Sequence, residues 1–586
     1  MTHATGDAAW GETTTPALEW ASGRWTLELR DDELADIAFD GRPVLRSVRG
    51  VARDRDWGTI PPRVTSIDAG DDSLTVEVSL VGKDADIDAR LVIEAHADEL
   101  RINWDGHLNS SFLRTRLGLV VLHPPALAGE ALQISHSDGS HERSAYPLAI
   151  RPHQPAFDIR GLAWDHDGLS TAVEFAGDVF EMEDQRNWTD ASFKTYSTPL
   201  ARPFPVAVAA GETISQSIII SCSAQPAAPV AALEPRIRLV DAGRAVPAVG
   251  TSASTGPAIA PVAPIGSALL VEIPAHTHVW REVLDRAVLE AGGMPLDVRI
   301  VGASVAGLDE VLDILAPLDI VRIGAYSAET HVSEPELWQH LRAALDKRGL
   351  PWQPVGGTRG HFTELNRTIN RLPHDIPAHT FSITPEMHAT GREQIVESIA
   401  IQRLVAENAT RISGGPVHIG PVTLRSRFNA VATTRTPDAE IVDLSAGYNA
   451  AVTPDATDPR QGSAALLAWT VASGAALAVA GVESISWFEA SGERGLRSAA
   501  GDPFPVEIAL GWLAGIAGAP LLEVAANTGT AGSNAGIWAL GARVDTTSVA
   551  LVANLRDVPA TVSVTVDSRE QLVELAAFSA RRIVFR

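Results

Sequence analysis

The sequence predicts a multidomain α/β plus β protein, in which a (β/α)8 barrel of the TIM type lies between an N-terminal β-sandwich and C-terminal strands that form or complete a sandwich. Three observations support this fold class. Short alternating runs fill the chain to about residue 223, strand-like and helix-like segments then alternate over about 260 residues, and alternating runs return at the end. A chain of 586 residues is also too long for one ordinary core.

The N-terminal region has the pattern of antiparallel β-structure. Runs such as 74-LTVEVSLVG, 90-RLVIEA and 217-SIIISCS alternate or are rich in β-branched residues. Runs of this length, separated by turn residues, are typical of an antiparallel sandwich. We therefore expect a β-sandwich over residues 1–235 and, because Pro, Ala, Gly and Ser are abundant there, a linker over residues 236–266.

The middle region alternates strands with helices. The run 297-DVRIVGA is followed by a helical segment and then by 319-DIVRIGAY. The apolar residues of that helical segment recur at helical spacing: Leu308, Val311, Leu312 and Leu315. Such alternation indicates a parallel α/β domain, so we expect a barrel over residues 267–520 and sandwich strands over residues 521–586.

Two helix starts in this region carry the pattern of a capping box. Ser333 is followed three residues later by Glu336, and Thr390 is followed by Glu393. In a capping box the hydroxyl accepts from a first-turn backbone N–H and the glutamate reaches back to the N-cap residue. Both helices are therefore predicted to begin at these positions.

Charge and hydropathy exclude several classes of partner. The chain has 47 Lys and Arg against 72 Asp and Glu, a formal net charge of -25, and this opposes binding to nucleic acid or to an anionic membrane. The N-terminus lacks a signal-peptide pattern, and no uninterrupted apolar stretch reaches about 18 residues. We expect a cytoplasmic protein with a small ligand, no nucleic-acid partner and no membrane partner; nothing in the sequence predicts the oligomeric state.

The sequence predicts neither a metal nor a cofactor. Its one cysteine, Cys222, excludes an intrachain disulfide and a Cys-based zinc cluster. The histidines His136, His141 and His153 lie close together in sequence, but their spacing matches no zinc motif. The segment 355-VGGTRG lacks both the Lys-Ser/Thr of a P-loop and the spacing of a dinucleotide fingerprint.

The first catalytic candidate is Glu364, because chemistry in a barrel belongs at the carboxyl ends of its strands. It follows the predicted strand 351-PWQPVGG, together with Asn366 and Arg367, which are candidates for substrate binding. A glutamate in a dry pocket there can act as a general acid with a raised pKa. The alternative is a first-turn glutamate that only complements the helix dipole.

The second catalytic candidate is Glu489. It follows a predicted apolar strand, 475-AALAVAG, and lies between the aromatic pair Trp487 and Phe488 and a Ser-Gly turn. Few structural roles need an acid in such a setting. Two carboxylates brought to one mouth are also what glycoside hydrolysis needs, about 5–5.5 Å apart in a retaining enzyme.

Further substrate-binding candidates lie at other predicted strand ends. Glu386 and His388 are separated by one residue, so on an extended segment both point the same way. Tyr326 ends the run 319-DIVRIGAY, and Trp487 precedes the second glutamate. For Glu386 and His388, a purely structural role before a helix is the open alternative.

The stretch 179-VFEMEDQRNWTDASFKTY is dense in charge and in aromatic residues. A charged segment is usually a solvated surface, but interleaved aromatics favour an ordered loop whose acids and bases satisfy one another. From this stretch Asp184, Arg186 and Asn187 are predicted to reach the rim of the barrel and bind substrate. A bracing role between the β domain and the barrel is the alternative.

Several blocks resemble the D-apionate lactonase family. The blocks are 138-DGS, 150-IRPHQPAFDIRGLAWD, 180-FEMEDQRNWTDASFKTYSTPLARPFP, 363-TELNR, 384-TPEMHA, 458-DPRQ and 487-WFEASGERGL. The resemblance implies an enzyme that opens the five-membered lactone of D-apionate, with a barrel similar to that of clan-A-type glycoside hydrolases. It also implies that Glu364 and Glu489 fall where those barrels have their acid/base and nucleophile.

These observations lead to one main hypothesis and two alternatives. The main hypothesis is a hydrolase that opens a sugar lactone similar to D-apionolactone, with one glutamate activating water and the other, protonated, assisting departure of the ring oxygen or stabilising the tetrahedral oxygen. The first alternative is a retaining glycoside hydrolase, in which Glu489 attacks the anomeric carbon and Glu364 serves as acid and base. The second alternative is a carbohydrate-binding protein without catalysis.

Overall fold

The computed structural model describes residues 3–11, 17–224, 236–260, 265–431, 443–525 and 536–586. A short helix, α1 (His3–Gly11), comes first, and the N-terminal domain then contains seventeen antiparallel strands within its described residues. The strands are β1 (Leu18–Ser22), β2 (Trp25–Arg30), β3 (Glu33–Phe39), β4 (Arg42–Asp54), β5 (Pro62–Ala69), β6 (Ser73–Gly82), β7 (Ala85–His96), β8 (Glu99–Leu108), β9 (Phe112–His123), β10 (Ala131–His136), β11 (His141–Ala145), β12 (Ala156–His166), β13 (Leu169–Ala176), β14 (Phe180–Asp184), β15 (Phe193–Ser197), β16 (Val206–Val208) and β17 (Thr213–Ala224).

These strands pack around one apolar core. Strands β2, β3, β4, β9, β15 and β14 pair in succession, and strands β5, β6, β7, β8, β17, β13 and β12 form a second group. Both groups contribute buried side chains to the same cluster. Gly50 of β4 lies so close to Trp104 of β8 that an added Cβ would lie 2.1 Å from the indole nitrogen, so the two groups face each other.

The barrel is a closed parallel sheet. After β18 (Arg236–Ala245), its strands are β19 (Ala248–Ser252), β20 (Leu269–Pro274), β21 (Leu296–Val301), β22 (Ile320–Tyr326), β23 (Gln353–Pro354), β24 (Gly356–His361), β25 (His379–Ile383), β26 (Val417–Val422) and β27 (Val482–Glu489). Strands β23 and β24 are consecutive halves of the fifth strand, and the eighth, β27, pairs with the first, β19. Most strand residues are buried, as expected for parallel strands covered on both faces.

Helices cover the outside of the barrel. Those described are α2 (Trp280–Ala291), α3 (Val305–Leu315), α4 (Pro335–Arg348), α5 (Phe362–Thr368), α6 (Arg392–Ser413), α7 (Ala465–Leu477) and α8 (Val506–Ala514). The predicted apolar stripe of α3 is buried, and α4 ends at Gly349, whose φ of +63° suits glycine. The prediction of a TIM-type barrel between β-rich regions is therefore confirmed.

The C-terminal sheet packs against the barrel. It contains β18, β28 (Pro520–Val524), β29 (Ile537–Val544), β30 (Thr547–Asn554), β31 (Ala560–Val566), β32 (Arg569–Leu575) and β33 (Ser579–Phe585), in the order β32-β31-β18-β28-β29-β30-β33. Alternate residues of β30 face opposite ways. Leu551 belongs to the core shared with the barrel, whereas Val552 belongs to a separate core within the sheet.

Two predictions about the layout are wrong. The predicted linker at 236–266 contains β18 and the first barrel strand β19. The prediction failed because the Ala- and Pro-rich composition masks the alternating run at Arg236–Ala245. Residues 225–235 and 261–264 of the Pro-, Ala-, Gly- and Ser-rich region lie outside the described residues. The segment 475-AALAVAG begins inside helix α7 and is not a strand, which fits the helix propensity of Ala and Leu.

Both predicted capping boxes are also wrong. The N-cap residues are Glu334 for α4 and Gly391 for α6, and neither makes a side-chain cap hydrogen bond. The Ser333 hydroxyl instead donates to the carbonyl of Ala325 at 3.0 Å. Within the described ranges, no helix has the length and apolar content needed to cross a membrane.

Candidate active site

The charged stretch at 179–196 forms a hairpin that packs against the mouth of the barrel. Its two strands, β14 and β15, are joined by a 3-10 turn at Gln185–Trp188. Glu183 lies directly opposite Lys194 in the hairpin, and Glu181 lies opposite Tyr196. Because side chains alternate between the two faces along a strand, these four side chains lie on the same face of the hairpin.

The three residues predicted from this hairpin as substrate ligands make hydrogen bonds to other protein groups. Asp184 and Arg186 form a two-bonded ion pair with both distances 2.7 Å, and each is 1% exposed. Arg186 also donates to the carbonyl of Pro147 at 2.7 Å, and Asp184 accepts from the backbone N–H of Arg151 at 2.9 Å. Their polar atoms are occupied by protein partners, which favours the bracing alternative, and substrate binding by these two residues stays a prediction.

Asn187 links the hairpin to the barrel. Its side-chain oxygen accepts a hydrogen bond from Asn366 of α5 at 2.9 Å, and its amide donates to the carbonyls of Arg151 and Asp184. Asn366 also donates to the carbonyl of Ile150 at 3.3 Å. Asn187 and Asn366 thus link the two domains through hydrogen bonds, and substrate binding by either residue stays a prediction.

The face of the hairpin that includes Glu183 and Lys194 presents charged side chains to the barrel mouth. The Lys194 ammonium lies 2.5 Å from Glu183, and the Trp188 indole donates to the same carboxylate at 3.0 Å. Arg367 lies with its guanidinium 5.5 Å from the Trp188 ring and 3.9 Å from Glu183. Burial raises the pKa of Glu183, but Lys194, His388 and Arg367 together hold that pKa well below its ordinary value.

Further positive charge faces this cluster from the N-terminal domain. Burial and the neighbouring Arg116 guanidinium lower the pKa of Arg53 to about 10, while Glu183 and Asp190 oppose that shift. Arg116 lies 3.7 Å from the centroid of the Tyr196 ring and donates to the carbonyl of Ser197 at 2.8 Å. The region is therefore suited to an anionic group or to a polarised carbonyl oxygen.

His388 forms a pair with Asp190 across the domain boundary. Its Nδ1 lies 2.8 Å from one oxygen of Asp190, and Gln394 donates to the other oxygen at 3.0 Å. The Trp188 ring meets the imidazole edge-on, with centroids 5.8 Å apart. Burial lowers the pKa of His388, although Asp190 acts to raise it. The structure thus brings the predicted ligands His388 and Arg367 together.

Glu364 lies in the first turn of α5, after the fifth barrel strand. One carboxyl oxygen accepts the backbone N–H of His361 at 2.6 Å, so the helix-capping interaction expected of a first-turn glutamate is present. Burial also raises the pKa of Glu364 to about 7, against smaller opposing effects of the His361 N–H and of Arg367. A carboxyl that titrates near neutral pH can both give and take a proton.

Two more groups border Glu364 and the mouth. Burial lowers the pKa of His361 to about 3, so this imidazole is neutral at physiological pH. On the other side, Glu272 of β20 forms ion pairs with Arg359 at 2.8 Å and with Arg427 at 2.6 Å. Arg359 also lies 3.3 Å from His331, so the centre of the mouth is a fixed polar network.

Glu489 reaches the mouth because β27 contains an irregularity. The register with β19 shifts between Thr251 and Ser252, and Phe488 has a φ of +49°, which is uncommon for a bulky residue. Glu489 then accepts hydrogen bonds from the Thr255 N–H and hydroxyl, both at 2.9 Å, and from Arg494 at 3.1 Å.

Trp487 and Tyr326 lie near the ends of β27 and β22 and bond to other protein groups. The Trp487 indole faces helix α7 and donates to Ser473 at 3.1 Å, because the irregularity in β27 turns it outwards. The Tyr326 hydroxyl lies inside the barrel, 2.9 Å from Arg299 and 2.8 Å from Thr380. Both side chains are buried and bonded to protein, which favours a structural role, and a contact with substrate stays a prediction.

Glu386 belongs to a buried acid pair beneath the rim. It lies 2.6 Å from Arg425 and 3.5 Å from Arg460, which also binds Asp458 at 2.8 Å. Burial and the adjacent Asp458 raise the pKa of Glu386 well above its ordinary value. These contacts engage only Oε2, whereas Oε1 is buried and has no hydrogen-bond partner among the described residues, so a substrate contact at Glu386 stays a prediction.

Several mouth residues were missed from the sequence. Those on the hairpin are Glu183, Trp188, Asp190 and Lys194, and those on the barrel are Glu272, His331, Arg359 and Arg427. The two-residue period of the hairpin strands was a usable signal for Glu183 and Lys194. The described residues contain no group of three or more His, Cys, Asp and Glu side chains arranged to hold a metal ion.

Comparisons with known proteins agree with this architecture. Residues 6–225 match the family model described as D-apionate lactonase, N-terminal domain, and residues 325–518 match that described as D-apionate lactonase, TIM barrel domain. A protein named D-apionate lactonase from Brucella anthropi is 27% identical over 538 residues, which covers 84% of this chain and 85% of that protein.

Solved structures give weaker similarities. SrfJ from Salmonella typhimurium is 9% identical with a TM-score of 0.40, over 67% of this chain and 98% of that one. A GH30 endoxylanase from Clostridium papyrosolvens C71 is 9% identical with a TM-score of 0.39, over 60% of this chain and 99% of that one. The two domain models and the relative that spans most of the chain lead to one conclusion: the chain belongs to the D-apionate lactonase family.

Proposed function

We propose that the protein opens a small sugar lactone by hydrolysis, in the space between the barrel mouth and the β14–β15 hairpin. Family membership makes it a hydrolase rather than a carbohydrate-binding protein without catalysis. The name of the Brucella anthropi relative suggests D-apionolactone, or a lactone similar to it, as the substrate. The positive charge of Lys194, Arg53 and Arg367 near the site suits the oxyanion and the carboxylate that form when a lactone opens.

The observation that carries this proposal is the raised pKa of Glu364. At about 7, this pKa leaves a large fraction of the carboxyl protonated at neutral pH. Ring opening breaks the bond between the carbonyl carbon and the ring oxygen, and the departing oxygen needs a proton. Glu364 supplies it in this proposal, while its second oxygen stays anchored to the His361 N–H.

Glu489 has a different task in this proposal. Three of the roughly four acceptor positions of a carboxylate are taken by Thr255 and Arg494. The remaining position on Oε2 accepts a hydroxyl of the sugar ring and so orients the lactone. His388 and Arg367 contact the substrate from the hairpin side of the mouth.

Kinetics on wild type, Glu364→Gln and Glu489→Gln test the proposal. The substrates are D-apionolactone, other five-membered sugar lactones, and a panel of aryl furanosides and pyranosides. We expect wild type to open a lactone and Glu364→Gln to lose about 10²- to 10⁴-fold in kcat, the usual contribution of a general acid. Glu489→Gln should raise KM more than it lowers kcat, because it removes a substrate contact.

The pH dependence supplies a second measure of the same step. Since the protonated form of Glu364 is the acid, kcat of wild type should fall as pH rises through about 7, and Glu364→Gln should lose that fall. Glu483→Gln is the control, because this exposed glutamate lies at the opposite end of the same strand as Glu489. Lactone opening that survives both active-site substitutions would contradict the proposal, and turnover of aryl glycosides alone would favour the retaining glycosidase.

A further inference from the structure

The Asp190–His388 pair has the geometry of an oriented base. Asp190 is 3% exposed and comes from the hairpin, whereas His388 follows the sixth barrel strand. Both oxygens of Asp190 are engaged, one by Nδ1 of His388 and the other by Gln394, which also donates to the carbonyl of Pro385 at 3.0 Å. The carboxylate is therefore fixed from two sides, and it fixes the imidazole in turn.

The other ring nitrogen of His388 is open to the site. Nε2 makes no hydrogen bond with any residue in the described part of the chain, and it is not among the buried side-chain atoms that lack a partner. The side chain is 14% exposed, and Trp188 holds the ring edge-on at 5.8 Å. A carboxylate on Nδ1 selects the tautomer in which Nε2 carries no proton, which is the form that accepts one.

We infer that His388 is the general base that activates the attacking water, and that Asp190 is its positioning residue. The inference rests on the proposed lactone-opening function and adds a base to the acid Glu364. It differs from the role predicted from the sequence, in which His388 only bound substrate and a second glutamate activated water. Glu489 suits that task less well, since most of its acceptor positions are occupied.

The step balances in protons and bonds. Nε2 of His388 takes a proton from water as the water oxygen bonds to the lactone carbonyl carbon, which gives a tetrahedral oxyanion. The bond between that carbon and the ring oxygen then breaks, and Glu364 protonates the ring oxygen. The products are a hydroxyl and a carboxylic acid, whose proton is lost to solvent. His388 returns its proton to the Glu364 carboxylate through solvent, which restores both groups.

A role as a simple interdomain brace is the alternative to test. The charged and titratable groups around His388 are Asp190 and Glu183 of the hairpin, Lys194 of β15, Arg53 of β4 and His361 at the start of α5. Lys194 and Arg53 disfavour the imidazolium, whereas Asp190 and Glu183 favour it. Neutral His388 is thus available as a base while Glu364 is still protonated.

The experiment compares His388→Asn, His388→Ala and Asp190→Asn with a matched control, Glu397→Gln. Asn at position 388 keeps a donor where Nδ1 donates to Asp190, but it has no basic nitrogen. Glu397 also bridges the two domains, through an ion pair with Arg46 at 2.7 Å. Folding is checked by thermal unfolding, and activity is measured on the lactone that the wild type opens, across pH 5 to 9.

Four results are expected. His388→Asn should lose about 10²- to 10⁴-fold in kcat, with KM nearly unchanged. Added imidazole should restore part of the activity of His388→Ala, with a saturable dependence on its neutral form. Asp190→Asn should lose at least tenfold in kcat and shift the acidic limb of the pH profile to lower pH, because the carboxylate that raises the pKa of His388 is gone. Glu397→Gln should retain wild-type kcat.

The contrary results are equally definite. If His388→Asn keeps more than a third of wild-type kcat, His388 is not the base. If imidazole restores nothing, or if Asp190→Asn and Glu397→Gln lower kcat equally without moving the pH profile, the pair is only a brace. A wild-type protein that opens no lactone overturns the proposed function and this inference with it. Active wild type with inactive Glu364→Gln and fully active His388→Asn overturns the inference alone.

Discussion

At the scale of single residues, Asp184 and Arg186 illustrate how a buried ion pair differs from a binding site. Removing one partner leaves a buried charge without compensation, which typically costs about 3–5 kcal/mol. We therefore expect Arg186→Met to lower the free energy of unfolding by about that amount while KM for the lactone stays within twofold. Thermal or urea unfolding, together with steady-state kinetics, measures both quantities.

The double variant Asp184→Leu/Arg186→Met is the control for this prediction. Two apolar side chains leave no unpaired charge, so the double variant should be more stable than either single variant. A raised KM in Arg186→Met with unchanged stability would instead return Arg186 to the list of substrate ligands.

The sequence indicated that the segment at 179–196 is ordered, but it did not show which of its side chains pair with one another. Charge density and aromatic content indicate an ordered stretch at 179–196, but they do not say which charges satisfy one another. That choice depends on the hairpin register, which pairs Glu183 with Lys194, and on contacts made by β15 with β9. For Glu364, in contrast, the position after a barrel strand follows from the alternation of strands and helices, and its catalytic role stays a prediction.

At the scale of elements, the irregular end of β27 decides which side chains face the site. Trp487 and Phe488 both turn towards α7, where Trp487 bonds Ser473 and Phe488 lies 6.4 Å from the Trp469 ring. We expect Trp487→Phe to cost about 1–2 kcal/mol of stability, from one lost hydrogen bond and a smaller ring, without changing KM. Unfolding and kinetic measurements on the same preparation check this expectation.

Ser473→Ala serves as the partner in a double-mutant comparison. It removes the acceptor of the Trp487 indole, so the two substitutions together should cost less than their sum. A rise in KM for Trp487→Phe would show that the indole contacts substrate after all.

Local pattern predicted some elements well and others poorly. The apolar stripe of α3 and the short buried strands follow from periodicity, which tertiary contacts reinforce. The capping box at Ser333 failed because a tertiary partner, the Ala325 carbonyl, accepts the hydrogen bond of that hydroxyl. The left-handed conformation of Phe488 has no sequence signature, since bulky residues rarely adopt it.

At the scale of the whole molecule, the barrel and the C-terminal sheet share one core. Leu551 of β30 is fully buried in that shared core although it lies outside the barrel. We expect Leu551→Ala to cost about 2–5 kcal/mol and to lower the temperature at which lactone opening is lost, because the two units cannot unfold separately. Calorimetry and thermal inactivation measure the two effects.

Leu572→Ala is the matched control in the same sheet. Leu572 is 67% exposed, so its truncation should change stability by no more than about 0.5 kcal/mol. If the C-terminal sheet of Leu551→Ala unfolds but the temperature at which activity is lost does not change, the barrel is stable without that sheet.

The division into domains was the least predictable level. Strand β18 follows the N-terminal domain in sequence but pairs with β28 and β31, near the other end of the chain. Strand β19 likewise closes the barrel by pairing with β27. The partners of β18 and β19 are distant in sequence and leave no local pattern. The composition rich in Pro and Ala therefore predicted a linker where the structure has two strands.

The pairing of Glu183 with Lys194 limits how this enzyme can change over evolution. Strand residues alternate between two faces, so inserting or deleting one residue in β14 would turn Glu183 to the opposite side, and the same change in β15 would turn Lys194 and Tyr196. A substitution changes one side chain at the barrel mouth, whereas a single-residue change in strand length would move several side chains away from it. New substrate preferences in this fold should therefore arise by point substitution within the hairpin and by length variation only in the loops beyond it.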